Sequence, residues 1–407
     1  MNNILLKKFL VAAVILASAN YASAWPDDPD NAALLYYQAF CEYEKPDESM
    51  NDLIKELANG NIKPNPTIEK YIENCRSAIN LVESAYNLDK CDWGLKYSEG
   101  IGFSAPFIAQ SRMLSCIILA DSRIAIDHAD YDLAIQRCLT ARKLGIDVGR
   151  ESASVGFLIE KFIKRTANSC IQEILSSAAI DHQQLHYLKT ELDAIDSRSK
   201  PLKFFLETDH DFSVMLLTPE QIKNELKFGY FDVTEEGTPI LGTETVFNKE
   251  FYVKNKLYFE KYWTANPDSE FCRKNKAYFD KHWSEVLSVI DLPYQQVHEK
   301  LGALYQDPGE NTDAYMTMLF GPGEWRVYNI NIKTETYTNA IKAAIEIYQI
   351  KAKTGLLPGK LPVNLPKDLF SGEDFDYEKT ADGFILRCRA KDLDNDEIYE
   401  YEFKKKS

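Results

Sequence analysis

Apolar residues recur at helical spacing along the first half of the chain, and this pattern limits the fold more than any other feature. From Ile68 to Tyr86, apolar side chains return every three or four residues, as on one face of an amphipathic helix. Similar stripes run from Phe103 to Ile126 and from Tyr131 to Leu144. We therefore predict a mainly α fold, with a helical bundle over residues 25–218.

Two of these predicted helices resemble one unit of a tetratricopeptide repeat. Asp130 directly precedes Tyr131 and is a favourable N-cap for the second helix. Ala134 and Ala141 are small residues on one face of that helix, which would let its neighbour approach closely. The pattern does not recur at the repeat length of about 34 residues. The sequence therefore predicts repeat-like helix pairs inside a bundle, and not a regular array.

Residues 219–330 form an aromatic-rich helical segment that contains a duplication. The stretch 250–263 recurs as 270–283 at a 20-residue offset, with nine of 14 positions identical. At helical spacing, the aromatic residues of each copy fall on one face. The pattern predicts two short helices that pack through aromatic side chains. The alternative is an aromatic and lysine-rich surface that binds a glycan or a peptide.

Residues 331–407 are predicted to form a small C-terminal α+β module. Thr338 to Lys353 has a strong helical pattern, and Gly355 follows it. Two alternating segments, Phe375 to Glu378 and Phe384 to Arg389, flank an Asp-Gly turn, which is typical of a hairpin. A further β segment is expected at Ile398 to Phe403. Upstream, residues 325–332 alternate like a strand or lead into the helix.

The first 24 residues have the parts of a cleavable signal peptide. Lys7 and Lys8 precede an apolar run from Phe9 to Ala19, and Ala22-Ser23-Ala24 offers small residues for cleavage. No later stretch is apolar for long enough to span a membrane. We expect export to the periplasm or the extracellular space, with no transmembrane segment in the mature chain.

Charge and cysteine content further restrict the partners and the chemistry. A formal net charge of −15 repels phosphate backbones, so we expect no binding to nucleic acid. The chain has eight cysteines but no C-x-x-C motif, which argues against zinc-ribbon and redox sites. An oxidising compartment would permit one or two disulfides, and the sequence does not pair them.

Two groups of motifs resemble known proteins. The helix from Ala33 to Phe40 and the segment Cys91 to Gly94 resemble a group of uncharacterised exported bacterial helical proteins, for which no activity is implied. In the tail, Leu361-Pro362, Phe370-Ser371-Gly372 and Phe375 resemble the end of type II secretion pseudopilin domains. That resemblance implies a helix against a small antiparallel sheet, and some such domains bind calcium in the last loop.

A calcium site is one hypothesis for that last loop. Asp392, Asp394 and Asp396 alternate along the chain, and carboxylates at alternate positions suit a hard cation. Glu397 stands where an EF-hand loop has glycine, so the loop is not an EF-hand. The alternative is a solvated acidic turn.

A second metal hypothesis concerns the helical domain. His182 and His186 are four residues apart on a predicted helix, while Glu207 and His210 have the Glu-x-x-His spacing of carboxylate-metal sites. Gln183 replaces the glutamate that a metalloprotease motif needs. These four side chains would have to converge to bind one divalent metal ion.

No other motif indicates catalysis or a cofactor. The sequence lacks a Gly-x-Ser-x-Gly elbow and a phosphate-binding glycine loop, so we predict no catalytic and no cofactor-binding residues. The leading hypothesis is an exported binding or scaffold protein whose partner is a protein or an envelope component. The alternatives are a metal-dependent enzyme that uses the histidine and glutamate cluster, and a secretion-system accessory.

Overall fold

The computed structural model describes residues 29–96, 105, 107–150, 154–177, 180–215, 270–305, 312–314, 317 and 324–404. The predicted signal peptide (1–24) and the first copy of the duplication (250–263) lie outside these residues. Within them there are twelve α-helices and one three-stranded antiparallel sheet near the C-terminus. The mainly α fold with a small C-terminal α+β module is therefore confirmed.

The helices are α1 (Ala32–Glu42), α2 (Glu48–Asn59), α3 (Pro66–Asn74), α4 (Arg76–Tyr86), α5 (Phe107–Asp127), α6 (Tyr131–Gly149), α7 (Ser154–Ser176), α8 (His182–Asp196), α9 (Leu202–Met215), α10 (Glu270–Val289), α11 (Tyr294–Tyr305) and α12 (Glu324–Thr354). A 3₁₀ turn covers Thr312–Ala314, and the strands are β1 (Asp376–Lys379), β2 (Gly383–Arg387) and β3 (Glu400–Lys404).

Short polar side chains mark where several helices begin. The cap residues that accept a hydrogen bond from a first-turn N–H group are Asn31, Asp47, Asn65, Asp130 and Asp181. Such bonds satisfy donors that the first turn of a helix leaves without an intrahelical partner. Asp130 caps α6 as the sequence predicts.

Helices α5, α6 and α7 pack side by side in the middle of the bundle, and α12 lies against α7. Small residues allow this close packing. Ala134 and Ala141 of α6 are fully buried, and the Ser122 hydroxyl of α5 donates to the Ala134 carbonyl at 3.0 Å. Further along α6, a Cβ atom at Gly145 would lie 3.2 Å from the Ile163 side chain of α7. The predicted repeat-like helix pair is thus α5 and α6.

The C-terminal strands form a meander in the order β1-β2-β3, with Tyr377 opposite Leu386 and Phe384 opposite Phe403. The predicted Asp-Gly turn joins β1 to β2. Gly383 in this turn has no room for a side chain, because a Cβ atom there would lie 1.9 Å from the Phe403 carbonyl oxygen. The sheet shares a hydrophobic core with the helices, and Tyr348 of α12 packs on Phe384.

Some details differ from the sequence predictions. The stripe from Ile68 to Tyr86 is divided into α3 and α4 at Cys75, although both helices bury their apolar faces in the same core. Asn65 caps α3, and its side chain accepts hydrogen bonds from two backbone N–H groups. Residues 325–332 are helical, so the second of the two predicted alternatives is right, and α12 continues across the expected boundary at 330.

Across the described ranges, none of the helices combines the length and the apolar character that crossing a membrane requires.

Candidate binding cleft

A polar cleft of about 430 Å³ lies between the helices and the C-terminal sheet. Its walls come from the end of α2, from α5 and α7, from the β1–β2 turn and from β3. The lining residues are all polar or glycine: Asn59, Gly60, Arg123, Ser169, Gln172, Glu173, Ser176, Asp382, Glu402 and Lys404. We call this the Arg123 cleft. Its volume falls within the range of small-molecule sites, but its lining is far more polar than is usual for them.

Arg123 forms the base of the cleft and is 5% exposed. Its guanidinium group pairs with the Glu173 carboxylate, donates to the Ser169 hydroxyl at 2.9 Å and donates to the Ala58 carbonyl at 3.4 Å. Gly60 ends α2 with a φ of +79° and lies directly on the guanidinium, where a Cβ atom would be 2.9 Å from Cζ. The side chain is therefore held in one orientation by α2 and α7.

Gln172 connects the wall of the cleft that β3 forms to the helices. Its side-chain amide donates to the Glu402 carbonyl of β3 at 2.7 Å, and its carbonyl oxygen accepts from the Tyr337 hydroxyl of α12. Lys404 lies at the end of β3 and forms an ion pair with the Glu402 carboxylate at 3.3 Å. Asp382 is exposed in the β1–β2 turn and completes the rim.

The charged groups of the cleft favour a ligand that carries both a positive and a negative charge. Arg123 and Lys404 supply two cations, while Glu173, Asp382 and Glu402 supply three carboxylates. A cleft with excess carboxylates repels a polyanion. An apolar ligand would strip water from these groups without replacing their hydrogen bonds, which is costly. These residues can form ion pairs and hydrogen bonds with a polar ligand.

A buried set of charges holds α7 in place beneath the cleft. The members of this ion cluster are Arg142, Lys161, Lys164, Asp196, Glu335 and Lys342, which join α6, α7, α8 and α12. Arg142 binds both Asp196 oxygens, at 2.7 and 2.9 Å, and Lys164 binds Glu335 at 2.8 Å. Because the charges pair within the protein, the cluster has a structural role.

The pKa values of its carboxylates reflect this pairing. Burial by itself would raise the pKa of the Glu335 carboxyl group, but the ammonium groups of Lys164 and Lys161 bring it down to about 2. Burial likewise opposes ionisation of Asp196, and the charges of Arg142, Lys164 and Lys342 hold its pKa well below the usual range. Both carboxylates are therefore ionised at neutral pH.

The predicted histidine and glutamate ligands lie on two consecutive helices. His182 and His186 are exposed on α8, and Glu207 is exposed on α9. His210 of α9 turns to α10, where its ring stacks on Phe279 and its Nε2 atom lies 3.4 Å from the Asp280 carboxylate. In the parts of the chain that the structure describes, no three His, Cys, Asp or Glu residues are grouped so as to hold a metal ion.

The three aspartates of the predicted calcium loop have different surroundings. Asp392 is fully buried, and its carboxylate receives the Lys333 ammonium group at 2.7 Å, the Tyr399 hydroxyl at 2.9 Å and the Tyr294 hydroxyl at 3.2 Å. We call this the Asp392 site. The ammonium group of Lys333 lies against the carboxylate in the way that a bound cation would.

The other two aspartates also have partners within the protein. The Asp394 carboxylate lies 3.6 Å from Nε2 of His298, and Asp396 pairs with Lys391 at 2.7 Å. The backbone N–H of Asp392 donates to the Glu397 carbonyl at 2.8 Å, which closes the loop into a tight turn. The three carboxylates thus point to separate partners and do not form one shared cation cage.

The second copy of the duplication forms the first part of α10. Its Phe279 and Trp283 side chains are buried, and Asn275 is buried on the same side, whereas Lys276 is exposed. This copy packs through its aromatic face, as the first of the two interpretations predicts.

Sequence reasoning did not identify Arg123 or Lys404. One signal was present for Arg123, since Asp121 and Arg123 interrupt an otherwise apolar helical stretch, and charges within a buried helix require specific partners. Lys404 had no such signal, because a lysine near the end of a strand is common on protein surfaces.

Comparison with known proteins yields no relative: no family model, no curated protein and no solved structure matches the chain significantly.

Proposed function

We propose that this chain is an exported binding protein that takes a small zwitterionic ligand, such as an amino acid or a short peptide, in the Arg123 cleft. The observation that carries this proposal is the immobilised guanidinium at the base of an otherwise wholly polar cleft. Export is inferred from the N-terminal sequence. It implies that the protein binds its ligand in the periplasm or the extracellular space.

Arg123 would bind the carboxylate of the ligand. Its three contacts with described residues use three of the five guanidinium N–H groups. The remaining two can donate to one carboxylate, and such charge-assisted bonds are about twice as strong as neutral ones. Because Gly60 and Glu173 already hold the guanidinium, little conformational entropy is lost when the ligand binds.

The carboxylates of the cleft would bind the ammonium group of the ligand. Asp382 is exposed on the rim, and Glu402 projects from the neighbouring strand beside Lys404. Both groups line the cleft together with Arg123, so a ligand with a positive and a negative end has a partner for each. Lys404 would add a second contact for the carboxylate end.

A thermal-shift screen of the full chain against amino acids, short peptides, sugars and nucleotides tests the ligand class. We expect amino acids or peptides to raise the melting temperature, since a ligand that binds only the folded state stabilises it. Stabilisation by sugars or nucleotides alone would contradict the proposal.

Two lysines, one that lines the cleft and one exposed outside it, provide a matched pair of variants for the same screen. Lys404→Met removes a cleft cation, whereas Lys360→Met removes an exposed charge outside the cleft lining. We expect the first change to weaken binding by about tenfold, the value of one charge-assisted contact. The second should leave affinity unchanged. Equal affinities for the two variants would place the ligand elsewhere.

Export is tested separately by expressing the full chain in a Gram-negative bacterium and sequencing the N-terminus of the protein recovered from the periplasm or the medium. Cleavage after Ala24 is expected, and an intact N-terminus on cytoplasmic protein would contradict it.

A further inference from the structure

Helices α6 and α7 run antiparallel in a register that side-chain contacts define. Gly145 of α6 lies against Ile163 of α7, where a Cβ atom on the glycine would be 3.2 Å from the isoleucine side chain. One turn towards the start of α6, Arg142 donates to the Asn168 side chain at 2.7 Å. Along α7, the residue numbers of the facing positions therefore rise as those along α6 fall.

This register places two cysteines opposite each other. Cys138 comes one turn before Arg142 and Cys170 follows Asn168, and both thiols are fully buried. The two thiols are close enough to interact with each other, and both are free in the structure. Both also lie against one turn of α5: Cys138 Sγ is 3.2 Å from the Ser122 hydroxyl, and Cys170 Sγ is 3.9 Å from the Leu119 carbonyl.

We infer that Cys138 and Cys170 form a disulfide that joins α6 to α7 in the exported protein. The inference rests on the proposed export, because disulfides persist in oxidising compartments and not in the cytoplasm. In the reaction, each thiol loses a proton and one electron as the S–S bond forms. The oxidant is a disulfide, either of a small thiol such as glutathione or of an oxidoreductase, and it is reduced to two thiols.

The disulfide would form before α6 and α7 close, since both sulfur atoms are inaccessible in the folded chain. It would also fix one wall of the Arg123 cleft, because Cys170 is adjacent in sequence to Ser169. The Ala58 carbonyl accepts hydrogen bonds both from the Arg123 guanidinium and from the Cys170 thiol. The cross-link therefore lies directly behind the base of the cleft.

Peptide mapping of the full chain tests the pairing. The reduced and unfolded chain is refolded in a mixture of oxidised and reduced glutathione, unfolded again without reductant, treated with N-ethylmaleimide, digested and analysed by mass spectrometry. We expect a peptide pair linked through Cys138 and Cys170 that separates on reduction. Cys116 is also buried and serves as the internal control, which should carry the maleimide label. Labelled Cys138 and Cys170 would overturn the inference.

The same mapping on protein recovered from expressing cells separates this inference from the proposed export. A cross-link that forms on refolding but is missing from cell-derived protein means that the pairing is right and the compartment is wrong. As a second readout, reduction should lower the melting temperature of the refolded chain by about 5–10 °C, the usual effect of a disulfide that closes a loop of some 30 residues. An unchanged melting temperature would contradict a cross-link between these helices.

Discussion

The Arg123 cleft and the Asp392 site both lie where the helices meet the C-terminal sheet module, but only one of them is open. At the Asp392 site, a lysine ammonium group and two tyrosine hydroxyls surround the carboxylate. In the Arg123 cleft, the guanidinium pairs with Glu173 and also lines an open space of about 430 Å³. A buried charge that its own chain surrounds has a structural role, whereas one that is held rigid beside an open cleft can serve a ligand.

The largest expected effect is at the closed site. Asp392→Ala would leave the Lys333 ammonium group without its partner and remove acceptors from Tyr294 and Tyr399, so we expect the free energy of unfolding to fall by about 4 kcal/mol, as when one partner of a buried ion pair is removed. Urea unfolding followed by circular dichroism measures this change.

Asp396→Asn is the matched control for that experiment, because Asp396 has a φ of +57° and asparagine adopts this left-handed conformation more readily than alanine. The Asp396 carboxylate is exposed and pairs with exposed Lys391, so the expected loss is under about 1 kcal/mol. Millimolar calcium should leave the melting temperature of the unmodified chain unchanged. A calcium-dependent rise that Asp392→Ala abolishes would restore the calcium interpretation of the loop.

Acid should weaken the ion cluster by protonating its carboxylates. The pKa of Glu335 is about 2 in the folded chain, below its value in an unfolded chain, about 4.3. Its contribution to stability is therefore complete above the unfolded value and is lost as the pH falls towards 2. Glu335→Gln should lower stability at pH 7 by about 3 kcal/mol.

The pH profile distinguishes this mechanism from general packing damage. The Glu335→Gln variant should lose less stability than the unmodified chain between pH 5 and 3. The plots of unfolding free energy against pH for the two proteins should therefore converge in acid. Parallel curves across that range would show that Glu335 is not the group that titrates.

Gly60→Ala should affect the Arg123 cleft, because Gly60 lies against the guanidinium group at the base of the cleft. The residue has a φ of +79°, and a Cβ atom there would lie 2.9 Å from the Arg123 guanidinium. We expect about 1–2 kcal/mol of destabilisation from the left-handed backbone together with weaker ligand binding as the guanidinium shifts. Gly355→Ala is the control, since it has a φ of +75° with open space around it. It should cost similar stability and leave ligand affinity unchanged.

The smallest expected effect is at the turn between α5 and α6, distant from both sites. Ala129 has a φ of +58°, a conformation that glycine adopts without strain. Ala129→Gly should raise the free energy of unfolding by about 0.5–1 kcal/mol, since the relief of strain exceeds the added entropy of the unfolded chain. A decrease in stability would show that the Ala129 methyl group makes contacts that outweigh its strain.

Local features could be predicted from the sequence because neighbouring residues determine them. Asp130 caps α6, and the Asp-Gly pair turns the chain from β1 into β2, for reasons that lie within a few residues of each. The two sites depend on contacts between distant segments. Asp392, Asp394 and Asp396 resemble a calcium loop in sequence, and only the fold shows that the Lys333 ammonium group of α12 pairs with Asp392. Likewise, Arg123 and Lys404 come together only because β3 packs beside α7.

Isothermal titration calorimetry tests directly whether Arg123 binds the carboxylate of a ligand. The best peptide from the thermal-shift screen is compared with the same peptide amidated at its C-terminus, using the full chain in both titrations. We expect amidation to raise the Kd of the peptide by at least about tenfold, because a charge-assisted bidentate contact is lost. Equal affinity for the two peptides would contradict it.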